Sequence, residues 1–148
     1  MTTMKGTYVL LAKLEKDRAM KIGSLGSLHF RKGFYAYAGS GMNSLEKRIE
    51  RHLKRRKRIF WHIDYFLQKA RIVKIFFLKA RSRNECETAR ALAGRFAGIR
   101  GFGCSDCGCE SHLFYAEKLG ALEKEAAKAL RSSRARPRLF PCPRPSAS

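Results

Sequence analysis

No stretch of this chain stays apolar for long. The longest runs, residues 8–12 and 75–78, fall far short of the about 20 residues that a helix needs to cross a bilayer. No transmembrane helix and no membrane partner are expected. The opening Met1-Thr2-Thr3-Met4-Lys5 has no apolar segment, so a secretory signal is not expected either. Acidic residues are scarce: 12 Asp and Glu stand against 32 Lys and Arg, a formal net charge of +20 over 148 residues. A surface so one-sided repels itself unless a polyanion lies beside it. Nucleic acid fits that role better than an anionic membrane. An even set of cysteines is missing too. The five present (Cys86, Cys104, Cys107, Cys109 and Cys142) are odd in number and mostly clustered. That pattern suits a reducing compartment better than a disulfide framework. A cytoplasmic protein is expected, nucleoid-associated if prokaryotic.

What is present is enough for one domain. Apolar residues make up 45% and aromatics 11%, which allows a modest single core. Residues 6–14 read as a buried strand, 20–22 as a short return strand, and 34–38 as an aromatic strand ended by Gly39-Ser40-Gly41. Ser44 reads as an N-cap for a helix to about residue 56, with Glu46 early and basic residues late. A second helix is expected over 60–68 and a central strand over 72–78. Asn84 is placed to cap a third helix running to about residue 96. A Gly- and Cys-rich loop follows at 98–111, then an edge strand at 113–115 and a helix at 119–130. The order predicts an α/β fold, with a small three- to four-stranded, mostly antiparallel sheet flanked by helices. Residues 1–118 would form the main domain and 119–132 a C-terminal helix. Residues 133–148, basic and holding all four prolines, would form a disordered tail.

One helix concentrates the chemistry. Leu45, Ile49 and Leu53 recur at helical spacing and define its buried stripe. Arg48 and His52 fall on one edge of that stripe, at the rim of the core. A cation half shielded from water addresses a phosphate more strongly than one in bulk solvent. Arg51, Arg55, Lys57 and Arg58 lie nearby as an ordinary solvated basic face or as nucleic-acid contacts. Tyr35 and Tyr37 share one face of their strand, while Tyr8 lies on the face opposite Thr7 and Val9. The turn at Gly39, Ser40 and Gly41 lets backbone approach a ligand closely.

Gly6-Thr7-Tyr8 resembles the first half of the GIY-YIG nuclease signature, and Tyr37-Ala38-Gly39 resembles the second half. The continuation through Ser40, Leu45, Arg48 and His52 resembles that family's helix. Trp61-His62-Ile63-Asp64-Tyr65, Gly101-Phe102-Gly103, Ser105-Asp106-Cys107, Cys109 and Ser111-His112-Leu113 are similar to segments of its small Uri-type subgroup. The resemblance spans residues 5–116. It implies a divalent-metal-dependent DNA endonuclease, directed by structure or backbone, as in repair and recombination. DNA is favoured over RNA.

It also implies roles. One Mg2+ or Mn2+ ion would be held by a helix glutamate, for which Glu85 is preferred and Glu87 is the alternative. These two project about 200° apart, so only one can face a cleft. Tyr8 and Tyr37 would shape the nucleophile side, Arg48 would clamp the phosphate, and His52 would relay a proton or bind the phosphate. Ser40, Arg51, Arg55, Lys57 and Arg58 would contact nucleic acid. Thr7 and Ala38 depart from the family's isoleucines. The 28 residues between Tyr8 and Tyr37 are more than is usual there and imply an extra hairpin and loop.

Two features stand apart. Trp61 and Tyr65 share a helix face, and Asp64 could hold His62 or pair with an arginine. Cys104, Cys107, Cys109 and His112, with His62, form a possible second site of zinc-type ligands. Its alternative is a tight structural loop. The rival to catalysis is a non-catalytic nucleic-acid-binding module of the same fold.

Overall fold

A computed structural model describes residues 4–81, 84–104, 108–130 and 136–142. Strand β1 (Gly6–Leu14) is almost wholly buried, which explains why its sequence runs apolar rather than alternating. Val9 and Leu11 face one core, and Tyr8, Leu10, Ala12 and Leu14 face the other. Strand β4 (Gly33–Gly41) pairs antiparallel with β1 along its whole length, from Gly6 opposite Gly41 to Leu14 opposite Gly33. The Gly39-Ser40-Gly41 run is therefore the paired last three residues of this strand and not a turn that follows it. The two glycines stay in the ladder because close packing there leaves no room for larger residues.

Between these strands lie β2 (Arg18–Lys21) and β3 (Ser27–Phe30), joined through a 3-10 turn at Gly23–Leu25. They pair only with each other, as a separate two-stranded sheet. This is the expected extra hairpin, but the expected return strand does not return to β1. On the far side of β1 runs β5 (Arg71–Lys79), antiparallel, with an irregularity between Leu11 and Ala12.

The remaining strands are β6 (Ala97–Gly98), β7 (Leu113–Ala116) and β8 (Arg138–Leu139). The main sheet has the order β6-β7-β4-β1-β5-β8, with every neighbouring pair antiparallel. Its six strands exceed the three or four expected. Strands β6 and β8 are two residues each, too short for any period to show. Strand β7 is not an edge, since β6 covers it. Part of the expected disordered tail is also ordered: β8 pairs with β5, and the Phe140 N–H donates to the Ile75 carbonyl. Residues 131–135 and 143–148 lie outside the described chain.

Helices cover both faces. On one side pack α1 (Leu45–Leu53) and α2 (His62–Leu67), with the β2–β3 hairpin. On the other pack α3 (Glu85–Ala93) and α4 (Leu119–Leu130), through Ala89, Leu92, Leu122, Ala126 and Leu130. The C-terminal helix is thus an integral part of the second core, through Leu122, Ala126 and Leu130. Ser44 caps α1 as expected, its Oγ accepting from the Lys47 N–H at 3.3 Å. Asn84 stands at the N-cap of α3 but makes no side-chain cap bond. Both α1 and α2 are shorter than their apolar pattern predicted, because charged residues between them form a loop.

Candidate functional site

A cleft of about 710 Å³ opens where β4, α1, α2 and α3 meet. Its wall includes Tyr37, Ser40, Arg48, Trp61, His62, Glu85, Cys86 and His112. Among the described residues, Glu85 and Arg48 are its one carboxylate and its one guanidinium. Glu87 is exposed and does not line it.

The floor is aromatic. Tyr8 is 1% exposed and His52 3%, so both lie beneath the cleft rather than in it. The Tyr8 hydroxyl meets His52 Nε2 at 2.5 Å. The Tyr37 ring stands 6.4 Å from that of Tyr8 and 6.2 Å from that of His52. Sequence periodicity put His52 at the rim. Instead its ring turns fully inward, toward the Tyr8 hydroxyl, its one polar partner among the described residues. Gly39 is the residue opposite Tyr8, and a Cβ there would lie 2.5 Å from the Tyr8 ring and hydroxyl. No side chain fits at that position while the tyrosine keeps its place.

Burial sets the protonation states. His52 is pushed down to about 3, first by desolvation and then by the charge of Lys57, so its ring is neutral. Its Nδ1 is buried without a hydrogen-bond partner among the described residues. Burial raises the pKa of both Tyr8 and Tyr37, while the Arg48 charge opposes the rise. Both phenols keep their protons at neutral pH.

Arg48 and Arg51 share Trp61, with guanidinium carbons 4.4 and 4.3 Å from its ring centroid. Their roles diverge. Arg51 donates to both oxygens of Asp64, at 2.8 and 2.9 Å, and to the Arg58 carbonyl. Asp64 is fully buried and also accepts from the Phe60 and Trp61 N–H groups. Burial alone would raise its pKa, but the Arg51 bonds and these N–H groups hold it below the usual carboxylate value. Of the two partners open to Asp64 in the sequence, the arginine is the one it takes. Lys57 donates to the Arg51 and His52 carbonyls at the end of α1. These two cations thus serve the α1–α2 junction. Lys54, Arg55, Arg56 and Arg58 are exposed, and Phe60 at the cleft mouth is 74% exposed.

His62 does not join the cysteines. Its Nδ1 accepts from the Gly103 N–H at 2.9 Å, so in the neutral ring Nε2 carries the proton. Desolvation lowers its pKa, which favours that neutral ring. Gly103 makes this bond from a left-handed conformation, φ +73°, which glycine adopts without strain.

The cysteine site differs from the expected one. Cys86, Cys109 and His112 offer one ligand atom each, all within 4.8 Å of one another, an arrangement able to hold a metal ion. Cys104 is not in this group, and its thiol donates to the Phe102 carbonyl. Cys107 lies outside the described residues. Cys86 stands 18 residues before Cys104, the first cysteine of the loop, and no local pattern in the sequence connected them.

Fold and site together define an α/β domain with a polar cleft over a buried tyrosine–histidine pair. The chain matches the family described as "Domain of unknown function DUF123" over residues 7–135, and it belongs to that family. No curated protein and no solved structure matches it.

Proposed function

We propose that this protein is a divalent-metal-dependent endonuclease acting on DNA, of the GIY-YIG kind that its motifs resemble. One observation carries the reading. Residues from four separated motifs, Tyr8 and Tyr37, Arg48 and His52, Trp61 and His62, and Glu85, converge on or directly beneath one cleft.

The carboxylate fits a cation: Glu85 Oε2 is buried with no hydrogen-bond partner among the described residues. Glu85 would supply an oxygen ligand to Mg2+ or Mn2+, which when bound polarises a phosphoryl oxygen and stabilises the leaving group. Arg48, steadied by its stacking on Trp61, donates to the phosphate and offsets its growing negative charge. Tyr37 faces the cleft with its proton retained, so it orients an attacking water by hydrogen bonding rather than by deprotonating it. Tyr8 and His52, buried behind it, are positioning residues. His62 presents its Nε2 proton toward a phosphate oxygen. Exposed Phe60 offers a face on which an unpaired base can stack.

The test is cleavage of supercoiled plasmid and of branched or flapped DNA in Mg2+, Mn2+ or EDTA. Cutting should require metal and fall at least about 100-fold in Arg48→Ala and Glu85→Ala. Glu87→Ala should cut normally. Phe60→Ala should weaken binding of unpaired strands about ten-fold. Tight binding with no cutting of any substrate would replace this reading with a non-catalytic binding module.

A further inference from the structure

At one wall of the cleft, which Cys86 and His112 help to line, two thiols and an imidazole converge from separate parts of the chain. Cys86 comes from the first turn of α3, and Cys109 and His112 come from the segment that leads into β7. We propose that they form a binding site for a thiophilic divalent ion of the zinc class, distinct from the oxygen-ligand site at Glu85.

The donor set selects the ion. Thiolate and imidazole suit zinc, whereas Mg2+ and Mn2+ prefer oxygen. The imidazole is oriented for ligation. His112 Nδ1 lies 3.1 Å from the Ala38 carbonyl oxygen, which can only accept. The proton is therefore on Nδ1, and the Nε2 lone pair is turned toward Cys86 Sγ, 4.0 Å away. A carbonyl on the rear nitrogen is the usual support for a metal-binding histidine. The His112 carbonyl in turn accepts from the Ala38 N–H at 2.9 Å, so the ring hangs from the central sheet. The spacing is close to what an ion needs. With bonds of about 2.3 Å to sulfur and about 2.0 Å to nitrogen, tetrahedral ligand atoms sit roughly 3.5–3.8 Å apart. The observed separations, 4.0 Å for one pair and at most 4.8 Å for the others, close to that by about 1 Å or less of movement.

Such an ion joins the first turn of α3 to the segment, bearing His112, that leads into β7. Cys86 directly follows Glu85, so the ion also fixes where that carboxylate stands at the cleft. This consequence rests on the proposed role of Glu85, whereas the metal site does not.

The full chain, reduced and stripped of metal, is titrated with Co2+ alone. The expected result is a thiolate-to-cobalt charge-transfer absorption that saturates near one equivalent and is displaced by Zn2+. Cys109→Ser and Cys86→Ser should weaken Co2+ binding at least about ten-fold. Cys142→Ser, at a cysteine remote from the cluster in sequence, should leave it unchanged. Because Cys86→Ser alters the first turn of α3, thiol alkylation of the unaltered chain gives a second readout. Zn2+ should protect Cys86 and Cys109 and leave Cys142 reactive. No charge-transfer band, a band that survives both variants, or a Cys86–Cys109 disulfide in place of metal would each overturn the proposal. Loss of DNA cleavage alone bears on the nuclease reading, because neither readout here depends on activity.

Discussion

His52 shows how burial redirects a residue whose type was legible in the sequence. Helical spacing placed it beside Arg48, yet it turns inward to Tyr8 and gives up contact with the cleft. Its neutral state links folding to pH. The folded ring titrates at about 3, and an unfolded histidine at about 6.5. Below the unfolded value, the unfolded chain binds more protons than the folded one. Stability from this residue is therefore complete above about pH 6.5 and is lost as pH falls toward 3. Between pH 7 and pH 5 the loss should be about 2 kcal/mol. Denaturant unfolding at the two pH values, on the natural chain and on His52→Gln, checks this. An identical pH slope in the two proteins would exclude His52 as its source.

The junction of α1 and α2 is held by one buried carboxylate. Asp64 accepts two bonds from Arg51 and the N–H groups that open α2. Asp64→Ala leaves those N–H groups and a partly buried guanidinium without their partner. The cost should be about 3 kcal/mol, toward the low end for a buried pair because Arg51 is 26% exposed. For a chain of this size that lowers Tm by roughly 10 °C. Calorimetry showing a shift of under about 3 °C would mean that packing of Trp61 and Phe66, not Asp64, fixes α2. The same junction orients Trp61, on which Arg48 stacks, so Asp64 also supports the cleft from behind.

For the whole molecule, the net charge of +20 is its most general property, and four exposed cations after α1 give it a local face. If DNA is the partner, Lys54, Arg55, Arg56 and Arg58 release counterions when they meet phosphates. The log of affinity should then fall linearly with the log of salt concentration. Replacing all four by alanine should flatten that slope by about 3 to 4 for duplex DNA. A slope left unchanged in a fluorescence-anisotropy titration would move the contact surface elsewhere. The C-terminal segment needs no such role to explain its order, since Phe140 packs against Phe77 and β8 extends the sheet.

Local pattern alone was enough for β1, for the start of the Ser44-capped helix, for β5 and for α4, the last matching its expected bounds. It also placed Tyr35 and Tyr37 on one face and Tyr8 opposite Val9. These features rest on neighbours within a few residues, where periodicity carries the information. The six-stranded sheet, the pairing of Arg51 with Asp64, the inward turn of His52 and the meeting of Cys86 with Cys109 and His112 did not follow from pattern. Each joins residues distant along the chain. Their closeness depends on how the two helical layers and the sheet pack, and a one-dimensional period does not encode that packing.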